Sequence, residues 1–372
     1  MSEVVANGLK SAFVLGTRPE IIKLSPIIEE ARDRGLRFAI IHTGQHYSDS
    51  LDEVFFEQLE LPAPDYNLGV GSGSHGRQTG EMLRQLEPVL KDVDPTVVFV
   101  QGDTNSVLAG AIATSKLDAE LAHVEAGLRS FDRDMPEETN RVVADHVADH
   151  LFTPTTQSKE HLRNEGRPPE SVFVTGNTVV DALERNRTIA ERKSNILAEL
   201  GLKDETYFLV TAHRAENVDD EHRFRNILAG VNEVGNATET EIIYPIHPRA
   251  QERITQFDID VPERVTVIDP VDYLDFLRLS AEADLIFTDS GGVQEEACVL
   301  GVPCVTTRDS TERPETIDVG ANALSGTDAE DIRRCAFDMI DTEPTWPNPF
   351  GDGTTAEQII DILTTETTGV GR

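Results

Sequence analysis

Short apolar runs alternate along the chain with segments whose apolar positions recur every three and four residues. The runs predict strands at Ala12–Leu15, Phe38–His42, Thr96–Val100, Glu120–Val124, Tyr207–Thr211, Glu241–Pro245, Val265–Ile268, Asp284–Thr288 and Pro303–Thr307. The recurring pattern predicts helices across Glu20–Arg34, Val107–Leu117 and Arg223–Val234. Strands and helices that alternate in this way make parallel sheets with helices on both faces, so the fold class is α/β. The polar helical stretch Glu184–Asp204 separates two such sets. Two Rossmann-like domains are therefore expected, at 1–183 and 184–354. A last helix, Thr355–Thr364 within a C-terminal segment 355–372, follows the proline-rich crossing Pro344–Pro349 and is expected to pack back on the first domain.

In open α/β sheets ligands bind beyond the carboxyl ends of the strands. The polar signatures of this chain fall at those ends: GTRPE after the first strand, then GQH, QGDTNS and VEAGLRS, and in the second half AHRAEN, HPRA and TDSGG. Two sheets whose carboxyl edges face one another would bring these loops to one interdomain cleft.

The densest signature is the turn Asp289-Ser290-Gly291-Gly292, which leads from a strand into a helix. Such a turn bares the first N–H groups of the helix at the positive end of its dipole, a seat for phosphate, although glycine turns of this kind also occur without a ligand. Glu295 and Glu296 follow, and an acceptor there suits the ribose hydroxyls of a nucleotide. TERPET, after the next strand, adds the cation Arg313. GTRPE supplies Arg18, whose guanidinium can grip a diphosphate, with Lys23 a turn further on. Tyr273 and Phe276 could flank a planar base or belong to the core.

Asp103 at a strand end could act as a base or cap the next helix. Glu125, Glu137 and Glu138 could share acid and base work, or join Arg129, Arg133 and Arg141 in a structural network. His213 can donate to a phosphate oxygen or move a proton near neutrality. His146 and His150, one helical turn apart, are read as a polar helix face and not as metal ligands, since no third ligand stands nearby. The glycine-rich stretch Gly69–Gly76 lacks the lysine and hydroxyl of a phosphate loop and is read as a flexible loop.

Composition narrows the field. The net charge is -34, from 33 basic and 67 acidic residues spread along the chain, which disfavours a nucleic-acid partner. Only seven of the basic residues are lysines, and the dispersed acidity fits a protein kept soluble in a salt-rich cytosol. No stretch approaches a membrane span, and the N-terminal MSEVVANGLK lacks the pattern of a signal peptide, so a cytoplasmic location is expected. Cys298, Cys304 and Cys335 lack metal or disulfide spacing and are expected in the core.

GTRPE, GQH, GDT, HVEAGLR, PEETNR, TGNTVVDAL at 175–183, DSGGVQEE and TERPE stand in an order and spacing that resemble the non-hydrolysing UDP-N-acetylglucosamine 2-epimerases, over about Ser11 to Ile362. The resemblance implies a two-domain fold of the glycosyltransferase-B type, a homodimer, and interconversion of UDP-GlcNAc and UDP-ManNAc without a cofactor. With the acidity, it implies a member from a halophilic archaeon. Carried over by position, the UDP-sugar contacts are Arg18, Lys23, His213, Phe276, Ser290, Gly291, Gly292, Glu296 and Arg313. The catalytic set is Asp103, Glu125 and Glu137, with His213. Two departures stand out: Val271 replaces a glutamine common in bacterial members, and the segment YSDSLDEV after His46 differs where those members help hold a second, regulatory UDP-GlcNAc.

The reaction so implied is elimination of UDP to 2-acetamidoglucal and re-addition with inversion at C2. A hydrolysing 2-epimerase releasing ManNAc and UDP, a glycosyltransferase of the same fold, a non-catalytic UDP-sugar sensor, and other UDP-2-acetamido sugars such as a 2,3-diacetamido uronate are the alternatives.

Overall fold

The computed structural model describes residues 9–45 and 49–369. The N-terminal MSEVVANG, His46, the start of the YSDSLDEV segment and the final residues 370–372 lie outside the described residues. The chain divides into two compact units, residues 1–182 with 350–372, and residues 183–349.

The first unit holds a seven-stranded sheet of β1 (Lys10–Leu15), β2 (Arg37–His42), β3 (Tyr66–Asn67), β4 (Val97–Gln101), β5 (Glu120–Val124), β6 (His150–Thr153) and β7 (Val172–Val174). Its order is β3-β2-β1-β4-β5-β6-β7, and every pairing is parallel. Both faces are covered, which is why β4 reads VVFVQ with all its residues buried. The helix Asn105–Thr114 is built of small residues because it lies close on this sheet: a Cβ on Gly110 would come within 2.8 Å of Val100. The C-terminal helix Thr355–Gly369 belongs to this unit, packing on the helix Arg18–Asp33, with Arg34 paired to Asp361 at 2.5 Å and Thr355 Oγ1 donating to the Thr175 carbonyl.

The second unit repeats the plan with β8 (Tyr207–Thr211), β9 (Glu241–Pro245), β10 (Val265–Ile268), β11 (Leu285–Thr288), β12 (Cys304–Thr306) and β13 (Asn322–Leu324). The six strands, all parallel, run β10-β9-β8-β11-β12-β13. Phe208, Phe224, Tyr244 and Phe287 fill one face. Tyr207, Leu209, Ile286 and Cys304 fill the other, where the partly buried Val271 and Phe276 also pack. Trp346 fastens the end of the unit by donating to the Cys298 carbonyl at 2.9 Å. The three cysteines are buried, and burial pushes the Cys298 thiol up to about 12.

Both sheets reverse strand order beside their first strand, between β1 and β4 in one and between β8 and β11 in the other. The fold thus has the expected class, with two Rossmann-like units. It corrects one local reading. The helix Pro136–Val147 ends before His150, which lies buried in β6 with Nε2 3.0 Å from Glu120, so His146 and His150 share no helix face. Among the described residues no helix is long and apolar enough to cross a membrane.

Candidate active site

The switch point of each sheet is where a ligand-binding crevice forms. In the first unit the loops there are Gly16–Arg18 and Gly102–Thr104, and a buried carboxylate joins them. Glu20, in the first turn of the helix Arg18–Asp33, accepts from the Gly16 N–H at 3.0 Å and from Thr104 Oγ1 at 2.7 Å. Burial pushes its pKa up to about 7, against the opposing hydrogen bonds from Thr104, Thr17 and Gly16. Arg18 stands exposed before it, its guanidinium over the Phe55 ring.

Asp103 does not cap the following helix. Thr104 does, accepting from the Val107 N–H, and Asp103 instead forms an ion pair with Arg141. Arg141 reaches Glu138 as well, at 3.1 Å. Burial alone would raise the Glu138 pKa, but the Ser130 N–H and hydroxyl, the Phe131 N–H and Arg141 hold it below the ordinary carboxylate value. Glu138 is therefore a structural member of this cluster. Glu137, beside it on the helix, is half-buried and makes no hydrogen bond or ion pair among the described residues.

Glu125 follows β5 in the left-handed region, with φ of 67°. A non-glycine residue held there costs roughly 1–2 kcal/mol. Its buried carboxylate receives Lys23 Nζ at 2.7 and 2.9 Å, the Gln101 amide, and Asn177 Nδ2 at 3.4 Å. These contacts fix the carboxylate in one orientation at the strand end. Lys23, expected at a phosphate, has its ammonium on Glu125.

In the second unit the switch-point loops are Ala212–Asn217 and Asp289–Gly292, and a buried carboxylate joins these too. Asp289 accepts from the N–H groups of His213 and Arg214, at 3.0 Å each, and from Asn217 Nδ2 at 3.2 Å. It also lies 3.1 Å from His213 Nδ1, which directs the other ring nitrogen away from it. Burial raises its pKa, and the His213 and Arg214 contacts outweigh that and hold it below the ordinary value.

Ser290 is the N-cap of the helix Gly291–Leu300, and its side chain makes no capping hydrogen bond. A Cβ on Gly291 or Gly292 would meet nothing closer than 3.8 Å, so neither glycine is required by packing within the protein. Their bareness leaves room over the first N–H groups, as close approach of an anion needs. Of the two acids, Glu295 is buried and paired with Arg313, so it is the internal counter-charge of that arginine. Glu296 is half-buried on the following turn position. Phe276 and Tyr273 lie on the helix Tyr273–Glu282, where the Tyr273 hydroxyl is 3.5 Å from Asn186 Nδ2.

Sequence reasoning passed over Glu20, Asp289 as an acceptor, and Arg308. Arg308 is buried and reaches Glu216 at 2.9 Å and Glu312 at 2.8 and 3.0 Å, which pulls the Glu312 pKa down to about 2. The usable signal was position, since each stands within a few residues of a strand end.

Two Rossmann-like units, each a parallel sheet with polar loops at its switch point, give the chain the plan of the glycosyltransferase-B-like folds. The chain belongs to the UDP-N-acetylglucosamine 2-epimerase family, whose profile matches residues 29–364. It is 51% identical over 362 residues to the UDP-N-acetylglucosamine 2-epimerase of Methanocaldococcus jannaschii, covering 96% of this chain and 99% of that one. The crystal structure of that archaeal enzyme in complex with UDP-GlcNAc and UDP superposes with a TM-score of 0.83 at 51% identity, over 96% of this chain and all of the other. The UDP-2,3-diacetamido-2,3-dideoxy-D-glucuronate 2-epimerase of Pseudomonas aeruginosa is 42% identical over 319 residues, covering 86% of this chain and 88% of its own.

Proposed function

We propose that this protein interconverts UDP-GlcNAc and UDP-ManNAc by eliminating UDP to 2-acetamidoglucal and returning it with inversion at C2. The C2 hydrogen of the sugar is not adjacent to a carbonyl, so it becomes removable only as the diphosphate departs. The second unit supplies what departure needs, with the bare N–H groups after Ser290, Arg313 and the oriented His213 on the developing diphosphate charge. Gly291 and Gly292 would admit the phosphates, Glu296 would accept from the ribose and Phe276 would lie against the base. From the first unit Arg18 would join the diphosphate, and Asp103, Glu125 and Glu137 would divide the proton transfers.

The observation that carries this reading is the setting of Glu125. A buried carboxylate at the end of β5, on a left-handed backbone and in hydrogen-bond contact with Lys23, Gln101 and Asn177, is held in a fixed position from which to exchange a proton. The 51% identity to the archaeal epimerase favours the N-acetylglucosamine substrate, and the 42% identity to the diacetamido-glucuronate epimerase keeps the uronate as the second reading. The dispersed charge of -34 supports work in a salt-rich cytosol, as expected of a halophilic archaeal protein, and the family resemblance supports a homodimer.

The experiment is an NMR time course with UDP-GlcNAc in D2O and multimolar KCl. UDP-ManNAc carrying deuterium at C2 is the expected product. Product without solvent deuterium excludes the mechanism, and free ManNAc with UDP would assign the hydrolysing reaction instead.

A further inference from the structure

We propose that His123 is a positioning residue kept protonated through the neutral range, whose imidazolium clamps the Gly102 carbonyl to Asp145 and so fixes the loop that carries Asp103. His123 lies in β5 with no solvent exposure. Its Nδ1 is 2.7 Å from Asp145 Oδ1, and its Nε2 is 2.9 Å from the Gly102 carbonyl oxygen. Both neighbours are acceptors. A carbonyl cannot donate, and the other oxygen of Asp145 takes the Gly127 N–H at 3.2 Å and pairs with Arg129 at 2.7 Å, which keeps that carboxyl ionised. A neutral imidazole has one N–H and one lone pair, and in either tautomer the lone pair would face an acceptor oxygen across a hydrogen-bond distance. Only the imidazolium satisfies both contacts.

The charged groups around the ring are consistent with this. Asp145 faces it from the helix Pro136–Val147, and Arg129 from the loop after β5 with Glu165 behind it at 2.6 Å. Two cations and two carboxylates balance. Burial lowers the His123 pKa, and Asp145 and the Gly102 carbonyl outweigh it and leave the pKa raised. The clamp acts at a place that needs one. Gly102 has φ of 81°, its N–H donates to the Val124 carbonyl at 3.1 Å, and Asp103 and its Arg141 partner follow directly. His123 thus ties the β4 loop to the turn that presents Glu125, and touches no substrate.

This inference rests on the proposed role of Asp103 in the reaction, and its protonation claim stands apart from that role. Nitrogen-15 NMR of histidine-labelled protein is expected to show both His123 ring nitrogens protonated at pH 8, where an ordinary histidine of pKa ~6.5 is about 3% protonated. A singly protonated ring there overturns the proposal whatever the enzyme catalyses. His123→Gln is expected to lower kcat ~10- to 100-fold with KM changed less than about threefold, because it misplaces a reacting group without removing a substrate contact. A folded variant with unchanged kcat overturns the positioning role. Should that variant fail to fold, Glu165→Gln removes a partly exposed counter-charge behind Arg129. It is expected to move the alkaline limb of the kcat profile and the His123 titration together to lower pH, and a limb that stays fixed while His123 shifts overturns the link. Failure of the wild-type protein to place deuterium at C2 would instead refute the epimerase reading and leave the NMR result untouched.

Discussion

Glu20 makes folding of the first unit depend on pH between 4.5 and about 7. Its carboxyl is only 1% exposed, and burial raises its pKa from 4.5 to about 7. Between those values the folded chain holds a proton that the unfolded chain has released, so stability falls as pH rises through this window and is constant above it. The shift of about 2.5 units corresponds to about 3 kcal/mol at about 1.4 kcal/mol per unit. Glu20→Gln keeps an oxygen for the Gly16 N–H and removes the titration. The free-energy difference between wild type and variant is therefore expected to change by about 3 kcal/mol from pH 4.5 to pH 8, against the wild type as pH rises. Urea unfolding of both proteins followed by circular dichroism at fixed salt measures it, with equal m-values verifying that the same transition is compared. A difference constant within about 0.5 kcal/mol over that range would mean that the Glu20 pKa is unshifted, and the argument from burial would fail.

Two further perturbations test the second unit. Asp289→Ala leaves the part-buried N–H groups of His213 and Arg214 and one N–H of the Asn217 amide without their acceptor, at the lower end of about 1–3 kcal/mol for each group left unsatisfied. A loss of at least about 3 kcal/mol in chemical unfolding at pH 7 is expected. Because the Asp289 pKa is lowered, the part of that contribution that depends on its charge is present at neutral pH and is lost as pH falls below about 4. Arg313→Ala is expected to lower turnover at saturating substrate by ~10² to 10³, and to destabilise by leaving Glu295 buried without its partner. Adding Glu295→Gln should restore stability and not turnover, and full turnover in the arginine variant would remove Arg313 from the mechanism.

The central strands were legible because each is a run of four to six residues buried on both faces, and that burial is written as continuous hydrophobicity. The edge strands, apart from β10, were not. β3 is the pair Tyr66–Asn67, while β7 and β13 are Val172–Val174 and Asn322–Leu324, each three residues long, and windows so short carry no period. β6, HLFT, was hidden because His150 continues the three-and-four spacing of the preceding helix, and only the break at Ala148 ends it. Within the site, residue type at strand ends marked Asp103, Glu125 and His213 as candidates. It could not separate Glu137 from Glu138, adjacent on one helix, since what distinguishes them is the cage of Ser130, Phe131 and Arg141 around one and not the other. Glu20 was read only as a helix start, and Arg308 was passed over, because a buried charge looks the same in sequence as an exposed one.

Glu20 and Asp289 occupy equivalent places, each joining the two loops at its sheet's switch point, yet they titrate in opposite directions. The reason is the donor set. Glu20 receives the Gly16 and Thr17 N–H groups and threonine hydroxyls, all neutral, and these do not offset its complete burial. Asp289 receives two backbone N–H groups, an amide and the His213 ring, whose positive form would strengthen the pair further. The loops of the diphosphate seat are consequently held by a carboxylate that stays charged throughout the neutral range. Those beside Asp103 are held by one that changes charge near pH 7. A loss of activity that sets in near pH 7, below the pH at which His123 gives up its proton, should therefore arise in the first unit through the Gly16 and Thr104 contacts, while retention of UDP by the second unit stays unaffected.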